Sequence, residues 1–331
     1  MDDITISLRI GSPHSTLTNV KYTIESILEN IGTENFSLMI SLDSAMNDEI
    51  KDYVHHIPER RGHIFEGREN NGGSWAEIIN DHIDKADAKY FLISHDDIQL
   101  QTPDFYHKVD SILQKTGPVG WVSFTDTDYL NGHFFAPTRP GFHTDYLFEK
   151  GEQRRKLSQF HNLPDNWWEP YKYQAMSLSD DKREEARQYY TNLSYDFPDR
   201  PVKCHTPWSI FFLIEMEQLK KIGKCEDWGT GAPLLVEEDW GLRAMQIGLF
   251  NIWIPDIKYR HIRTMPWQQD GGARCSDMIG EYNKKMAELF YEKWHFHSPP
   301  TKDELETIKN EYGDTNIPWS IGERSYDWDY I

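Results

Sequence analysis

The chain has 331 residues, with 35 Lys plus Arg against 54 Asp plus Glu, for a formal net charge of −19 with His neutral. That length accommodates one large domain or two modest ones with a buried core, and the charge argues against a protein that grips nucleic acid or an anionic membrane by bulk electrostatics. At 38% hydrophobic and 14% aromatic residues, with 21 Gly and 17 Pro, the composition excludes a disordered chain.

Cys204, Cys225 and Cys275 lie too far apart for a zinc knuckle, and their odd number closes no complete disulfide framework, so a reducing compartment is the simplest expectation. The N-terminus runs from Met1-Asp2-Asp3 straight into a strand-like segment, without the basic start and apolar core of a signal peptide. No apolar window approaches bilayer-spanning length, and the best, Ile210 to Ile214, reads as a buried strand. A cytoplasmic, soluble protein with no membrane span is expected.

The first third alternates strand and helix. Ile4 to Ile10 reads as a strand, and Leu17, Val20, Ile24, Ile27, Leu28 and Ile31 recur at helical spacing. Leu38 to Leu42 is a second, near-continuously apolar strand of the kind covered on both faces in parallel sheets. A short helix follows near Asp48 to His55. Asn70-Asn71-Gly72-Gly73-Ser74 then leads into a helix through Trp75, Ile78, Ile79, His82, Ile83 and Ala86, with Ser74 and Glu77 at capping-box spacing. Tyr90 to Ser94 is the next strand, ending at His95-Asp96-Asp97; a helix starts around Pro103, and Val119 to Phe124 supplies another strand.

This βαβα order predicts a doubly wound, mainly parallel sheet flanked by helices, with ligands beyond the carboxyl ends of the strands. The loops after Ile10 (carrying Ser12), Leu42 (carrying Asp43) and Ser94 therefore line one crevice.

From 126 to 200 the periodicity fades into an insertion rich in Tyr, Trp, His and charge. Order returns with a strand at Ser209 to Ile214, a helix ending at Gly223, a helix from about Glu238 to Ile247 closed by Gly248, and strands Leu249 to Ile254 and Ile257 to His261. The chain thus divides into 1–125, the insertion 126–200, a second ordered stretch 201–265, and a tail 266–331 with one helix, Met278 to Trp294.

Five groups of residues are candidates for chemistry, each with a plainer alternative. His95, Asp96 and Asp97 at a strand end suit Mg²⁺ or Mn²⁺, the imidazole favouring Mn²⁺; equally, the two acids end the strand as Asx turns. Glu237-Glu238-Asp239 opens a helix, where acids are favoured by the dipole; the sharper reading makes Asp239, with Glu238 beside it, a general base. His261 is either a structural strand-end histidine or a metal ligand opposite Asp97. Asp43 reads a ribose or base, or merely turns the chain. Arg68, Asn71, Gly72 and Gly73 precede a helix N-terminus able to receive a phosphate, or form only a turn. There is no Walker A sequence, and Ile10-Gly11-Ser12-Pro13-His14 lacks a dinucleotide-binding glycine pattern.

In order, Asn71-Gly72-Gly73-Ser74 with Asn80, Tyr90 through Ile98, and Glu238-Asp239-Trp240-Gly241-Leu242-Arg243 with Gly248 and His261 resemble family-2 glycosyltransferases of the GT-A fold, over Ile4 to about His261. The resemblance implies an α/β fold of GT-A type and an inverting, metal-dependent transfer of a sugar from a nucleoside-diphosphate sugar, UDP-linked by preference, to a glycan or other hydroxyl acceptor. In its terms 1–125 is the nucleotide-sugar half, 201–265 the acceptor half, and the 126–200 insertion a candidate acceptor or interface region. It makes Asp97 the metal-binding acid closing a DxD-type triplet in which His95 replaces the usual first Asp. Asp239 becomes the base and His261 a second metal ligand, with His95 also in the metal set. Ser12, Asp43, Arg68, Asn71, Gly72 and Asp96 fall on the donor side.

With a bulk charge of −19, a cation is physically needed to bring two phosphates into an acidic cleft. Trp228, Trp240, Trp167 and Trp168 are candidates for stacking on sugar faces, and Gly271-Gly272 for a lid. A metal-dependent glycoside or phosphoester hydrolase and a non-catalytic carbohydrate-binding protein are the competing readings. A nucleic-acid acceptor is disfavoured by the charge.

Overall fold

The computed structural model describes residues 2–11, 15–43, 46–57, 68–70, 74–126, 201–204, 211–228, 236–261 and 285–295. Strand β1 (Asp2–Ile10) lies between two parallel neighbours, β2 (Phe36–Asp43) and β4 (Ala88–His95), in a register that aligns Ile6 with both Leu38 and Leu92. The short β3 (Arg68–Asn70) adds a further parallel strand outside β2. The helices between them begin where the sequence supplies a cap. Thr16 accepts from the Asn19 N–H ahead of α1 (Leu17–Asn30), and Asn47 accepts from the Ile50 N–H ahead of α2 (Asp48–His55). Both halves of the expected Ser74/Glu77 capping box form at α3 (Trp75–Lys85), at 3.1 and 2.9 Å.

Beyond β4 come β5 (Ile98–Leu100), α4 (Phe105–Thr116), β6 (Val122–Asp126), β7 (Val202–Cys204) and β8 (Phe211–Glu215), then α5 (Met216–Ile222), α6 (Val236–Gln246) and β9 (Asn251–His261). A last helix, α7, covers 285–294 and is the described part of the expected tail helix. Among the described residues the sheet runs β3-β2-β1-β4-β8-β6-β9-β5, with β7 also on β9. The parallel first half continues into β8, which runs antiparallel to both β4 and β6, while β6 and β9 are parallel.

Two expectations shift in detail. The separate strands 249–254 and 257–261 are one strand, β9, whose pairing with β6 jumps from Phe124↔Ile254 to Thr125↔Lys258. Pro255 sits in the jump; it has no N–H to give a ladder, and its carbonyl instead accepts from the Thr125 hydroxyl at 2.7 Å. Helix α4 begins at Phe105 rather than around Pro103, because Asp104 takes a left-handed conformation (φ 54°). That kink presses Asp104 against Gly32, where a Cβ would lie 2.6 Å from the Asp104 Cα, and Gly32 itself has φ +78°. Only glycine fits there.

Alternating side chains divide the core between the two faces of the sheet. Tyr90 and Leu92 of β4, with Phe211 and Leu213 of β8, join β1, α1, α2 and α4 on one face. Phe91, Ile93, Phe212 and Ile214 join α3, α5, α6 and Met286 of α7 on the other. On that second face β1 is polar. Its Thr5 and Ser7 bond to Ser37 (2.9 Å) and to His82 of α3 (2.7 Å), so neither hydroxyl is buried without a partner. No helix among the described residues is long and apolar enough to cross a membrane.

Candidate metal centre and acidic helix start

Parallel pairing sets the carboxyl ends of β1, β2, β3 and β4 along one edge of the sheet. Arg9 stands beside His95, and Ile10 beside Leu42, with Asp43 beside Asn70. His95 is the last residue of β4; Asp96 and Asp97 make the turn into β5, which pairs antiparallel with β9 so that Ile98 faces His261. Strand β5 is too short to place itself. It is held by α1, whose buried Thr23 and Ser26 hydroxyls accept from the Ile98 and Leu100 N–H groups, each at 3.0 Å. The Asn30 amide donates to the Leu100 carbonyl at 3.1 Å. Those three polar residues of α1 thus fix the loop that carries Asp97.

The consequence is a cluster of His95, Asp97 and His261 whose ligand atoms all lie within 4.8 Å of one another. His261 Nε2 stands 3.0 Å from Asp97 Oδ2, and the His95 and His261 rings meet edge to face, centroids 6.5 Å apart. Side-chain exposure falls from 26% at Asp97 to 7% at His261. Ligand atoms each about 2.0–2.2 Å from one ion stand roughly 3–4 Å apart, so two imidazoles and a carboxylate at this spacing fit a divalent transition ion with little rearrangement. The mixed nitrogen and oxygen set suits Mn²⁺ better than the all-oxygen shell that Mg²⁺ prefers.

Asp96 turns away from this group. It is buried, and the Ser15 hydroxyl donates to its Oδ2. Burial first, and then the charge of Asp97, pushes its carboxyl up to about 7, against the opposing pull of the Ser15 hydroxyl, its own backbone N–H and Arg9. Ser15 and Arg9 carry no sequence signal of their own, and only the fold brings them to Asp96.

The second acidic group opens α6. Asp239 is 1% exposed and its two oxygens are both engaged. Arg243 Nε, one helical turn on, donates to Oδ2 at 2.9 Å; Trp294 Nε1 and Lys293 Nζ of α7 reach Oδ1 at 3.0 and 2.7 Å. Glu238 is also buried, but its Oε2 has no hydrogen-bond partner among the described residues. Burial, helped by the Asp239 charge and opposed by its own backbone N–H, pushes Glu238 up to about 7.

Of the remaining expectations, Ser12, Asn71, Gly72 and Gly73 lie outside the described residues, as do the 126–200 insertion with Trp167 and Trp168, and the Gly271-Gly272 segment. Asp43 and Arg68 are placed by their backbones alone, at the ends of β2 and β3. Trp240 is corrected: it is fully buried between Trp75 (6.3 Å), Trp121 (4.6 Å) and Phe212 (6.4 Å), so it is core and offers no face to a sugar. Trp228 packs edge-on against Phe290 of α7 at 6.2 Å. Asn80 and Trp240, both among the motif residues quoted above, latch the segment before α6. Asn80 exchanges two bonds with the Cys225 backbone, 2.8 and 2.9 Å, and Trp240 Nε1 donates to the Gly223 carbonyl at 3.1 Å.

No family model matches the chain, and no curated protein matches it in sequence. Among solved structures it is similar to the mannosyltransferase PcManGT from Pyrobaculum calidifontis, in complex with GDP-Man and Mn²⁺, with a TM-score of 0.48 and 13% identity. The likeness covers 87% of this chain, which spans 64% of that one.

Proposed function

We propose that the chain is a metal-dependent glycosyltransferase of the family-2 type that moves a sugar from a nucleoside-diphosphate sugar to an acceptor hydroxyl with inversion. The observation that carries this reading is the His95, Asp97 and His261 cluster. It lies at the carboxyl end of β4, on the edge of the sheet where β1, β2 and β3 also end and where α/β sheets bind their ligands.

In this reading His95, Asp97 and His261 hold Mn²⁺, and Mg²⁺ less well. A bound divalent ion supplies positive charge for the departing diphosphate. The chain's own residues do the rest. Asp96, braced by Ser15, and Asp43 at the end of β2, two strands away, take the donor side, together with Ser12, Arg68, Asn71 and Gly72. The acidic start of α6, Glu238 and Asp239, supplies the base, which removes the acceptor's proton as its oxygen attacks the anomeric carbon.

The test is thermal unfolding against UDP-, GDP-, CDP- and dTDP-sugars, each with and without Mn²⁺. A ligand that binds only the folded chain raises Tm by mass action. At least one donor should shift Tm with Mn²⁺ present and not with EDTA. A panel in which no donor shifts Tm in the presence of Mn²⁺ overturns the proposal.

A further inference from the structure

Helix α7 is seated by a single apolar stripe. Met286, Phe290 and Trp294 recur at a spacing of four, which puts them on one helix face, and all three are buried. Met286 enters the core with Phe91, Ile93 and Trp240. Phe290 packs against Trp228 on the segment leading to α6 and against Trp294, with ring centroids 6.2 and 6.4 Å apart.

That seat delivers the end of α7 to Asp239. The Trp294 indole Nε1 donates to Oδ1 at 3.0 Å, and the Lys293 ammonium reaches the same oxygen at 2.7 Å while also pairing with Glu226. Lys293 Nζ lies 5.5 Å from the centre of the Trp294 ring, so the two side chains support each other. Oδ2 accepts from Arg243 Nε at 2.9 Å, a donor of α6 itself. A carboxylate oxygen has room for about two hydrogen bonds. Oδ1 is therefore filled, and Oδ2 keeps a lone pair open among the described residues. Two donors on one oxygen, carried by a helix with its own apolar seat, fix the plane of the carboxyl group and with it the direction of that open lone pair. The stretch that resembles the transferase family ends near His261, so both donors come from outside it.

We propose that Lys293 and Trp294 of the tail helix are positioning residues for sugar transfer, holding Asp239 in the orientation in which its Oδ2 takes the acceptor's proton. This rests on the transferase reading above, with Asp239 as the base. In that step the acceptor O–H bond breaks, its proton passes to Oδ2, and the oxygen's electron pair forms the bond to the anomeric carbon. The bond from that carbon to the diphosphate oxygen breaks, and its electrons leave with the nucleoside diphosphate. Because the tail acts through the direction of the base, its contribution falls on kcat and leaves donor binding alone.

The experiment uses the full chain. It measures kcat and donor KM for Mn²⁺-dependent release of free nucleotide from the UDP-, GDP-, CDP- and dTDP-sugar panel, with water as acceptor, and amide hydrogen exchange over 285–295 as a readout that needs no turnover. Lys293→Met, and Trp294→Phe, which keeps an aromatic ring on Phe290, should each lower kcat by about 10- to 10²-fold with donor KM unchanged, and should speed exchange over 285–295. Lys293→Arg keeps a cation and should restore kcat. Lys285→Met, at an exposed lysine where the described part of α7 begins, should leave kcat as in the wild type. Wild-type kcat in both Lys293→Met and Trp294→Phe overturns the proposal, as does a rise in kcat, a loss expressed in KM, or an equal loss in Lys285→Met. Absence of release by the wild type from every donor overturns the transferase reading and the positioning role with it, while the exchange rates still decide whether Lys293 and Trp294 tie α7 to Asp239.

Discussion

Ile98 faces His261 across the antiparallel β5 and β9 ladder, and that backbone register sets the His261 ring 3.0 Å from the carboxylate of Asp97, the residue just before Ile98. The metal candidate therefore depends on strand pairing as much as on side-chain identity. A slip of one residue would turn His261 to the other face of the sheet.

The register is itself held by α1. Thr23→Val removes the hydroxyl that accepts from the buried Ile98 N–H while keeping the side chain's shape. Leaving that donor unsatisfied should cost about 1–3 kcal/mol. Urea unfolding should show that loss, and Mn²⁺ titration should show weaker binding although no ligand has changed. Unaltered Mn²⁺ affinity in a destabilised variant would mean that Thr23 supports the fold without positioning Asp97.

Trp240 sits in an aromatic core rather than on a binding face, in contact with Trp75, Trp121 and Phe212. Trp240→Ala should destabilise the protein by about 3–5 kcal/mol through the cavity it leaves, measured by chemical denaturation. A residue serving sugar recognition at the surface would instead show near-normal stability.

Glu238 ties stability to pH. Its carboxyl is pushed up from 4.5 to about 7 in the folded protein, so the native state holds a proton that the unfolded chain releases between those values. Stability conferred by the protonated form is present below about 4.5 and is lost as pH rises through about 7. Glu238→Gln removes the penalty for burying the charge. Its stability relative to wild type, read by urea unfolding, should be greater at pH 8 than at pH 5 by on the order of 1–3 kcal/mol. Equal differences at the two pH values would contradict the burial argument.

Much of the frame was legible because it follows local rules. Helix α2 falls on the expected Asp48–His55, and the Ser74/Glu77 box forms in full. The apolar runs of β1, β2 and β4 became strands covered on both faces. The three-residue strands β3, β5 and β7 were not legible, since so short a segment carries no period and is fixed only by its partners. Pro255 reads locally as a strand break, whereas tertiary pairing carries β9 past it with a bulge. At the site, His95, Asp97 and His261 could be named from the residues. What surrounds the acids could not: Ser15 on Asp96 is 81 residues away and Trp294 on Asp239 is 55, and neither distance leaves a pattern in the chain.

The most direct measurement of the central claim is nucleotide release from the sugar-donor panel by the wild type, Asp97→Asn and His261→Ala, each with Mn²⁺ and with EDTA. The account predicts release by the wild type only with Mn²⁺, and loss of both release and Mn²⁺ binding in either variant. Metal-independent release, or full Mn²⁺ dependence surviving in both variants, would contradict it.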